Sequence, residues 1–142
     1  MRWVIMVSHG GLAEGLHSAV RMMTGDRTDV YSVGLKEDMS ADAFAAKFSC
    51  IIKDFKMTDE VILLADILSG SPFTNALQEL DKKQLLQNTV VLAGMNMPLA
   101  LTAVLMKDQG ETLEQLKEKL LQEGHAGLVE FACTDNEEEE DL

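Results

Sequence analysis

Short runs of hydrophobic residues alternate along the chain with longer stretches whose hydrophobic positions recur every three or four residues. The short runs predict strands over residues 3–7, 30–33, 61–65 and 89–93. The longer stretches predict helices that begin near Leu12, Ser40, Ser71, Pro98 and Thr112. The third run, Val61 to Ala65, is hydrophobic without interruption, which is typical of a central parallel strand that is buried on both faces.

Residues that begin and end helices stand between these elements. Ser40 is predicted to cap the second helix, and Ser71 the third, with Pro72 at its first helical position. Thr112 and Gln115 have the spacing of a capping box, and Gly25 ends the first helix.

This alternation predicts an α/β fold of the flavodoxin-like, doubly wound kind. Right-handed crossovers favour parallel strands in the order 2-1-3-4, with helices on both faces of the sheet. Residues 128–132 are predicted to form a fifth, C-terminal edge strand. The sequence therefore predicts one domain over residues 1–133 and an acidic, disordered tail over residues 134–142.

Composition and charge exclude several classes of protein. The 142 residues carry a formal net charge of −12, and six of the acidic residues lie in positions 135–142. No basic stripe exists that would bind nucleic acid. The longest hydrophobic stretch, residues 95–106, is shorter than the ~20 residues of a membrane span, and the N-terminus shows no signal-peptide pattern. A cytoplasmic protein is the expectation.

Two residues with chemical potential follow strands that the predicted topology places side by side. His9 comes directly after the first strand and Asp66 directly after the third, at the switch point of the predicted sheet. The next helices begin with Gly10-Gly11 and Gly70-Ser71, whose backbone N–H groups favour an anion. A carboxylate that holds one ring nitrogen leaves the other as a nucleophile. The combination predicts a histidine that accepts and donates a phosphoryl group, although each feature alone also suits a structural histidine and a turn aspartate.

Other chemistries lack their motifs. Gly10 and Gly15 have the spacing of a phosphate-binding loop, but Leu16 stands where the lysine belongs. No dinucleotide fingerprint and no serine-hydrolase elbow follow a strand. The cysteines and histidines form no metal-ligand spacing, so neither a metal nor a cofactor is predicted. His17 is interpreted as a surface or partly buried helix residue, and His125 as a turn residue.

Three segments together resemble a known family. Residues 7–16 (VSHGGLAEGL), 66–76 (DILSGSPFTNA) and 94–98 (GMNMP) are similar to the signatures of enzyme IIA. The family is the mannose/fructose/sorbose family of the bacterial phosphoenolpyruvate-dependent sugar phosphotransferase system. The resemblance implies that HPr phosphorylates His9, which Asp66 orients, and that the group passes to enzyme IIB. It also places Ser71 beside the phosphate.

The resemblance implies further partners. Enzyme IIB is expected to be a separate chain, and the membrane components IIC and IID are expected to act only indirectly. Homodimers are expected, and members of the family often exchange their last strand between subunits, which here corresponds to residues 128–132. Two other functions stay open: a phosphocarrier subunit that serves a dihydroxyacetone kinase, and a non-enzymatic phosphohistidine regulatory module. The transported sugar is not predicted.

Overall fold

The computed structural model describes residues 1–133, which form four strands and five α-helices. The strands are β1 (Arg2–His9), β2 (Val30–Leu35), β3 (Glu60–Ala65) and β4 (Thr89–Ala93). The helices are α1 (Leu12–Thr24), α2 (Ala41–Ile52), α3 (Ser71–Lys82), α4 (Met97–Met106) and α5 (Leu113–Ala126). A short 3₁₀ turn, Leu86–Asn88, precedes β4.

All the strand pairs in this sheet are parallel, and the order is β2-β1-β3-β4. The predicted fold class and strand order are therefore confirmed. In the register, Val7 lies beside Ala65 and His9 beside Leu35. The carboxyl ends of β1 and β3 consequently meet at one edge of the sheet.

Two hydrophobic layers enclose the sheet, because alternate residues of each buried strand face opposite sides. Val4, Met6, Ile62 and Leu64 belong to the layer that α1, α4 and α5 cover. Ile5, Val7, Val61, Leu63 and Ala65 belong to the layer that α2 and α3 cover. Val61 to Ala65 are fully buried, as the uninterrupted hydrophobic run predicts. Each large aliphatic side chain buried in this way stabilises the fold by about 1.5–3 kcal/mol.

The predicted helix caps are largely confirmed. The Ser40 side chain accepts a hydrogen bond from the Ala43 N–H, and Thr112 and Gln115 form the capping box. At α3 the prediction is off by one residue. Gly70 occupies the N-cap position, and Ser71 is the first residue of the helix.

The C-terminal segment differs from its prediction. Residues 128–133 form no strand in the single chain, and Leu128, Val129 and Phe131 are 75–88% exposed. A strand-like sequence needs a neighbouring strand to pair with, and no edge of this chain's own sheet receives it. The turn predicted at His125 is also wrong, because α5 continues to Ala126. The predicted disordered tail lies outside the described residues.

Within residues 1–133, no helix combines the length and the hydrophobicity that crossing a membrane requires.

Candidate functional site

The structure brings His9 and Asp66 into direct contact at the carboxyl edge of the sheet. Asp66 Oδ2 accepts one hydrogen bond from the His9 backbone N–H and lies 2.8 Å from His9 Nδ1. Its other oxygen, Oδ1, accepts a hydrogen bond from the Ile67 N–H at 2.9 Å. The carboxylate is therefore held at three points, and both the backbone and the ring of His9 are tied to it.

These contacts decide the charge of Asp66. Partial burial raises the pKa of its carboxyl group, but the hydrogen bonds from the His9 backbone, the His9 ring and Ile67 outweigh that effect. The pKa of Asp66 consequently lies below its ordinary value.

An ionised carboxylate can only accept a hydrogen bond, so Nδ1 of a neutral His9 must be the protonated nitrogen. The lone pair is then on Nε2. The Asp66 side chain is 11% exposed and that of His9 is 48% exposed, so the carboxylate is enclosed while the ring faces solvent. This arrangement presents a nucleophilic nitrogen of fixed orientation.

Gly70 leaves room for the imidazole ring. A Cβ atom at this position would lie 2.8 Å from His9 Cε1, which is closer than real Cβ atoms approach other heavy atoms. The φ angle of Gly70 is −76°, which any residue adopts. Glycine is therefore required here by the ring that packs against it and not by the backbone conformation.

The loop after β1 turns sharply into α1. Gly10 has a φ angle of +58°, a conformation that favours glycine, and its N–H donates to the Leu35 carbonyl oxygen at 2.8 Å. Gly11 is the N-cap of α1. The buried Ser8 hydroxyl accepts a hydrogen bond from the Ala13 N–H at 2.7 Å, so it replaces a conventional cap. The N-terminus of α1 therefore begins next to His9.

The N-terminus of α3 also lies beside the ring, at Gly70. The Gly70 carbonyl oxygen accepts from the Thr74 N–H, and the Ser71 hydroxyl accepts from the Asn75 side-chain amide at 3.0 Å. The same amide also donates to the Ser71 carbonyl oxygen at 2.8 Å. Asn75 thereby fixes the Ser71 hydroxyl oxygen, whose proton can point toward an anion at the helix N-terminus.

The remaining histidines take other roles. His17, in α1, lies 2.7 Å through Nδ1 from the Ser32 hydroxyl. Burial is the main cause that lowers its pKa, so the ring is neutral near pH 7. His125 lies exposed in the last turn of α5. In the described part of the chain neither ring forms a hydrogen bond with His9 or Asp66.

Two residues that the sequence analysis overlooked hold the helix N-termini of the site in place. Ser8 holds the start of α1, and Asn75 holds Ser71. Only Asn75 had a recognisable signal, since it follows Ser71 by the four residues that bring side chains together on a helix. Ser8 lies within β1, four residues before α1 begins, so its position in the sequence does not mark it as a capping residue.

Exposed hydrophobic side chains lie at the same edge of the sheet as the His9 ring. Leu12 is 56% exposed, Ile67 is 54% exposed and Leu68 is 70% exposed. Leu12 follows the β1 loop, and the other two follow Asp66 directly. Three large hydrophobic side chains that share one sheet edge with a reactive nitrogen favour contact with another protein.

Residues 3–121 match the protein family described as "PTS system fructose IIA component". The chain belongs to this IIA family of the sugar phosphotransferase system. The family predicted from the three sequence motifs is thereby confirmed.

Two curated relatives show how the match extends. The chain is 24% identical to the PTS system fructose-specific EIIA component of Bacillus subtilis, over 96% of this chain and 97% of that protein. It is 23% identical to the PTS system mannose-specific EIIAB component of Escherichia coli, over 88% of this chain. This second alignment covers 38% of the relative, so the chain spans about two fifths of that protein's length.

Solved structures agree with the family. The EIIA component of Streptococcus agalactiae is 26% identical, with a TM-score of 0.79 over 92% of this chain and 97% of that one. The mannose/sorbose-specific IIA subunit of Enterococcus faecalis has a TM-score of 0.81 over 95% of this chain and 98% of that one, at 23% identity. This second likeness shows the fold alone.

Proposed function

We propose that this chain is a cytoplasmic phosphoryl carrier of a sugar phosphotransferase system. It accepts a phosphoryl group from phospho-HPr on His9 and passes it to enzyme IIB. The observation that carries this proposal is the contact between the partly exposed His9 ring and the enclosed, ionised Asp66.

The transfer balances without a cofactor. The Nε2 lone pair of His9 attacks the phosphorus, a new N–P bond forms, and the N–P bond to the HPr ring breaks. The electron pair of that bond returns to the leaving nitrogen. Positive charge develops on the His9 ring, and Asp66 stabilises it through Nδ1–H without taking the proton. In the transfer to enzyme IIB, a nucleophile of that protein attacks the phosphorus and forms a new bond to it, the N–P bond of His9 breaks, and its electron pair returns to Nε2.

The helix N-termini supply the anion site. Backbone N–H groups of Gly11, Gly70 and Ser71, together with the Ser71 hydroxyl, bind the phosphoryl oxygens in this proposal. The Gly10 N–H, which the sequence also suggests as a donor, is occupied by its hydrogen bond to the Leu35 carbonyl oxygen. Two helix N-termini carry partial positive charge and favour an anion there. Leu12, Ile67 and Leu68 contact the protein that delivers or receives the group.

A phosphoryl-transfer assay tests this function. Radiolabelled phosphoenolpyruvate, enzyme I and HPr should label the wild-type chain with an acid-labile adduct, and adding a purified enzyme IIB should remove the label. His9→Ala should abolish labelling, because it removes the nucleophile. His17→Ala and His125→Ala are matched controls that should keep it. A labelled His9→Ala chain would contradict the assignment of His9, and an unlabelled wild type would contradict the function.

We also propose that the active form is a homodimer. Within residues 1–133, β4 pairs with β3 alone, so its other edge is open. Leu128, Val129 and Phe131 are exposed in the single chain. In a dimer, the C-terminal segment of one copy can pair with the open β4 edge of the other. This pairing covers the edge and buries the three side chains.

Light scattering at micromolar concentration tests the dimer. The wild type should have twice the chain mass of 15.6 kDa. Deleting residues 128–142 should leave a monomer or an insoluble protein, whereas deleting only 134–142 should leave the dimer. A wild-type mass near 15.6 kDa, or a dimer that survives the longer deletion, would count against this assembly.

A further inference from the structure

Gly34, near the end of β2, lies against the loop that carries His9 into α1. It is buried and pairs with Ser8 in the β1–β2 register. A Cβ atom built at Gly34 would lie 2.0 Å from the Gly10 carbonyl oxygen and 3.2 Å from the Gly10 carbonyl carbon. Gly34 itself has no positive φ angle, so its backbone conformation does not call for glycine. Glycine is needed at this position because the Gly10 loop approaches the strand so closely.

The loop cannot easily yield to a larger residue. The atoms that a Cβ would meet first belong to the backbone of Gly10, so no side chain can rotate away. Gly10 is also tied to the next residue of the same strand, since its N–H donates to the Leu35 carbonyl oxygen at 2.8 Å. Ordinary C···O contacts are about 3.3 Å, so the Gly10 carbonyl would have to retreat by roughly 1.3 Å.

Any such retreat acts directly on His9, because Gly10 is its covalent neighbour. The backbone N–H and the ring of His9 each bind Asp66 at 2.8 Å. Those two bonds allow little displacement before one of them lengthens. We infer that Gly34 is a positioning residue for His9. Because β2 carries no side chain at Gly34, the Gly10 loop lies close to the strand, and the position of this loop fixes the direction in which the Nε2 nitrogen points. This inference rests on the proposed function.

The experiment compares Gly34→Ala with Gly15→Ala in the full-length chain. Both variants make the same chemical change, but a Cβ at Gly15, on α1, meets no atom within 4 Å. Phosphoryl transfer from phospho-HPr is measured over a range of phospho-HPr concentrations. Gly34→Ala should lower the maximal rate about 10–100-fold, as misplacement of a reacting group by about 1 Å does. Its half-saturating HPr concentration should change less than threefold, and Gly15→Ala should stay within about twofold of wild type.

A second measurement does not depend on transfer. The Nδ1 proton of His9, observed by ¹H–¹⁵N NMR, should give a hydrogen-bonded signal in wild type and in Gly15→Ala. In Gly34→Ala that signal should shift or be lost by exchange, while the core amide signals persist. Wild type that HPr fails to label would defeat the proposed function and leave this comparison of signals intact.

Three results would overturn the positioning role. The first is a Gly34→Ala chain with wild-type transfer and an unchanged Nδ1 signal. The second is a defect confined to the half-saturating HPr concentration, because that would make Gly34 a docking residue. The third is a Gly34→Ala chain that does not fold, because Gly34 would then serve the fold as a whole.

Discussion

The two ends of the parallel sheet each hold an aspartate paired with a basic side chain, but the two pairs are built differently. At the carboxyl end, Asp66 binds His9, whose ring is 48% exposed. At the amino end, Lys107 lies 2.6 Å from Asp29, and the lysine side chain is only 1% exposed. Lys107 also binds Asp108, and Arg27 lies 3.4 Å from Asp29.

The difference lies in what each pair leaves available. The amino-end charges pair with one another through Asp29 Oδ2, while Asp29 Oδ1 is buried without a hydrogen-bond partner among the described residues. Arg2 extends the network to Glu60 and to the carbonyl oxygens of Lys107 and Glu111. Such a network joins the end of α4 to β1 and to the start of β2. At the carboxyl end, Asp66 occupies one ring nitrogen and leaves the second in solvent. The closed pair therefore suits stability, and the open pair suits group transfer.

Asp66→Asn should break the open pair with the largest effect on transfer. The amide keeps the shape of the side chain but loses the charge that selects the tautomer and stabilises a cationic ring. The rate of phosphoryl transfer from HPr should fall about 10²–10⁴-fold, measured by single-turnover labelling.

The melting curve serves as its control. Because Asp66 belongs to neither hydrophobic layer, the circular dichroism spectrum and cooperative unfolding should persist in Asp66→Asn. Wild-type kinetics in this variant would reduce Asp66 to a residue that only holds the loop after β3.

Lys107→Met should break the closed pair and leave transfer intact. The methionine fills the buried space but leaves Asp29 with Arg27 as its remaining basic partner. Losing one partner of a buried pair lowers the free energy of unfolding by about 3 kcal/mol. Urea denaturation measures this loss. Lys82→Met is the matched control. Lys82 is an exposed lysine that pairs with Glu79 on the same helix, α3, and such pairs contribute only about 0.2–0.5 kcal/mol to stability.

Transfer per folded molecule should be the same in Lys107→Met and wild type. The substituted side chain lies at the opposite end of the sheet from His9, and the contacts of Asp66 do not involve it. A transfer defect as large as that of Asp66→Asn would show that the two ends are coupled, and it would remove the distinction drawn between them.

The sequence predicts the open pair better than the closed one, and the reason is physical. The uninterrupted hydrophobic run from Val61 to Ala65 predicts a central strand, so Asp66, the residue after it, is expected at the carboxyl edge of the sheet. His9 is the last residue of β1 and lies at the same edge, and the strand order brings the two together. Nothing local marks Lys107 as buried, because its burial arises where α4 meets the start of β2, far away in sequence.

The same limit explains the other differences between prediction and structure. Residues 128–132 have the composition of a strand, but strand formation depends on a partner edge that composition does not reveal. The role inferred for Gly34 had a partial signal, since glycine inside a strand suggests a close backbone approach. Which backbone approaches it becomes apparent only when the Gly10 loop is placed. Local pattern therefore locates elements and their ends, and tertiary contact decides what supports them.

Acid should have a smaller effect, which acts on stability through the carboxyl groups whose pKa lies below its ordinary value; these include Asp29, Asp66 and Asp59. At Asp29, burial raises the pKa, but Lys107 and Arg27 outweigh it, so the pKa of Asp29 lies below its ordinary value of 3.8. The pKa of Asp66 is lowered as well. A carboxyl group with a lowered folded-state pKa stabilises the protein above its unfolded value and loses that contribution as the pH falls through the folded one. The unfolding free energy should therefore fall below about pH 4. Each aspartate contributes at most about 1.4 kcal/mol per pH unit to that slope.

Asp29→Asn and Asp66→Asn should each flatten this dependence of the unfolding free energy on pH, whereas Lys82→Met, which removes no carboxyl group, should retain the wild-type slope. Equal slopes in all four proteins, measured by urea denaturation between pH 2.5 and 5 (a range of about one unit on either side of the ordinary value), would show that neither pair stabilises the folded state through its charge.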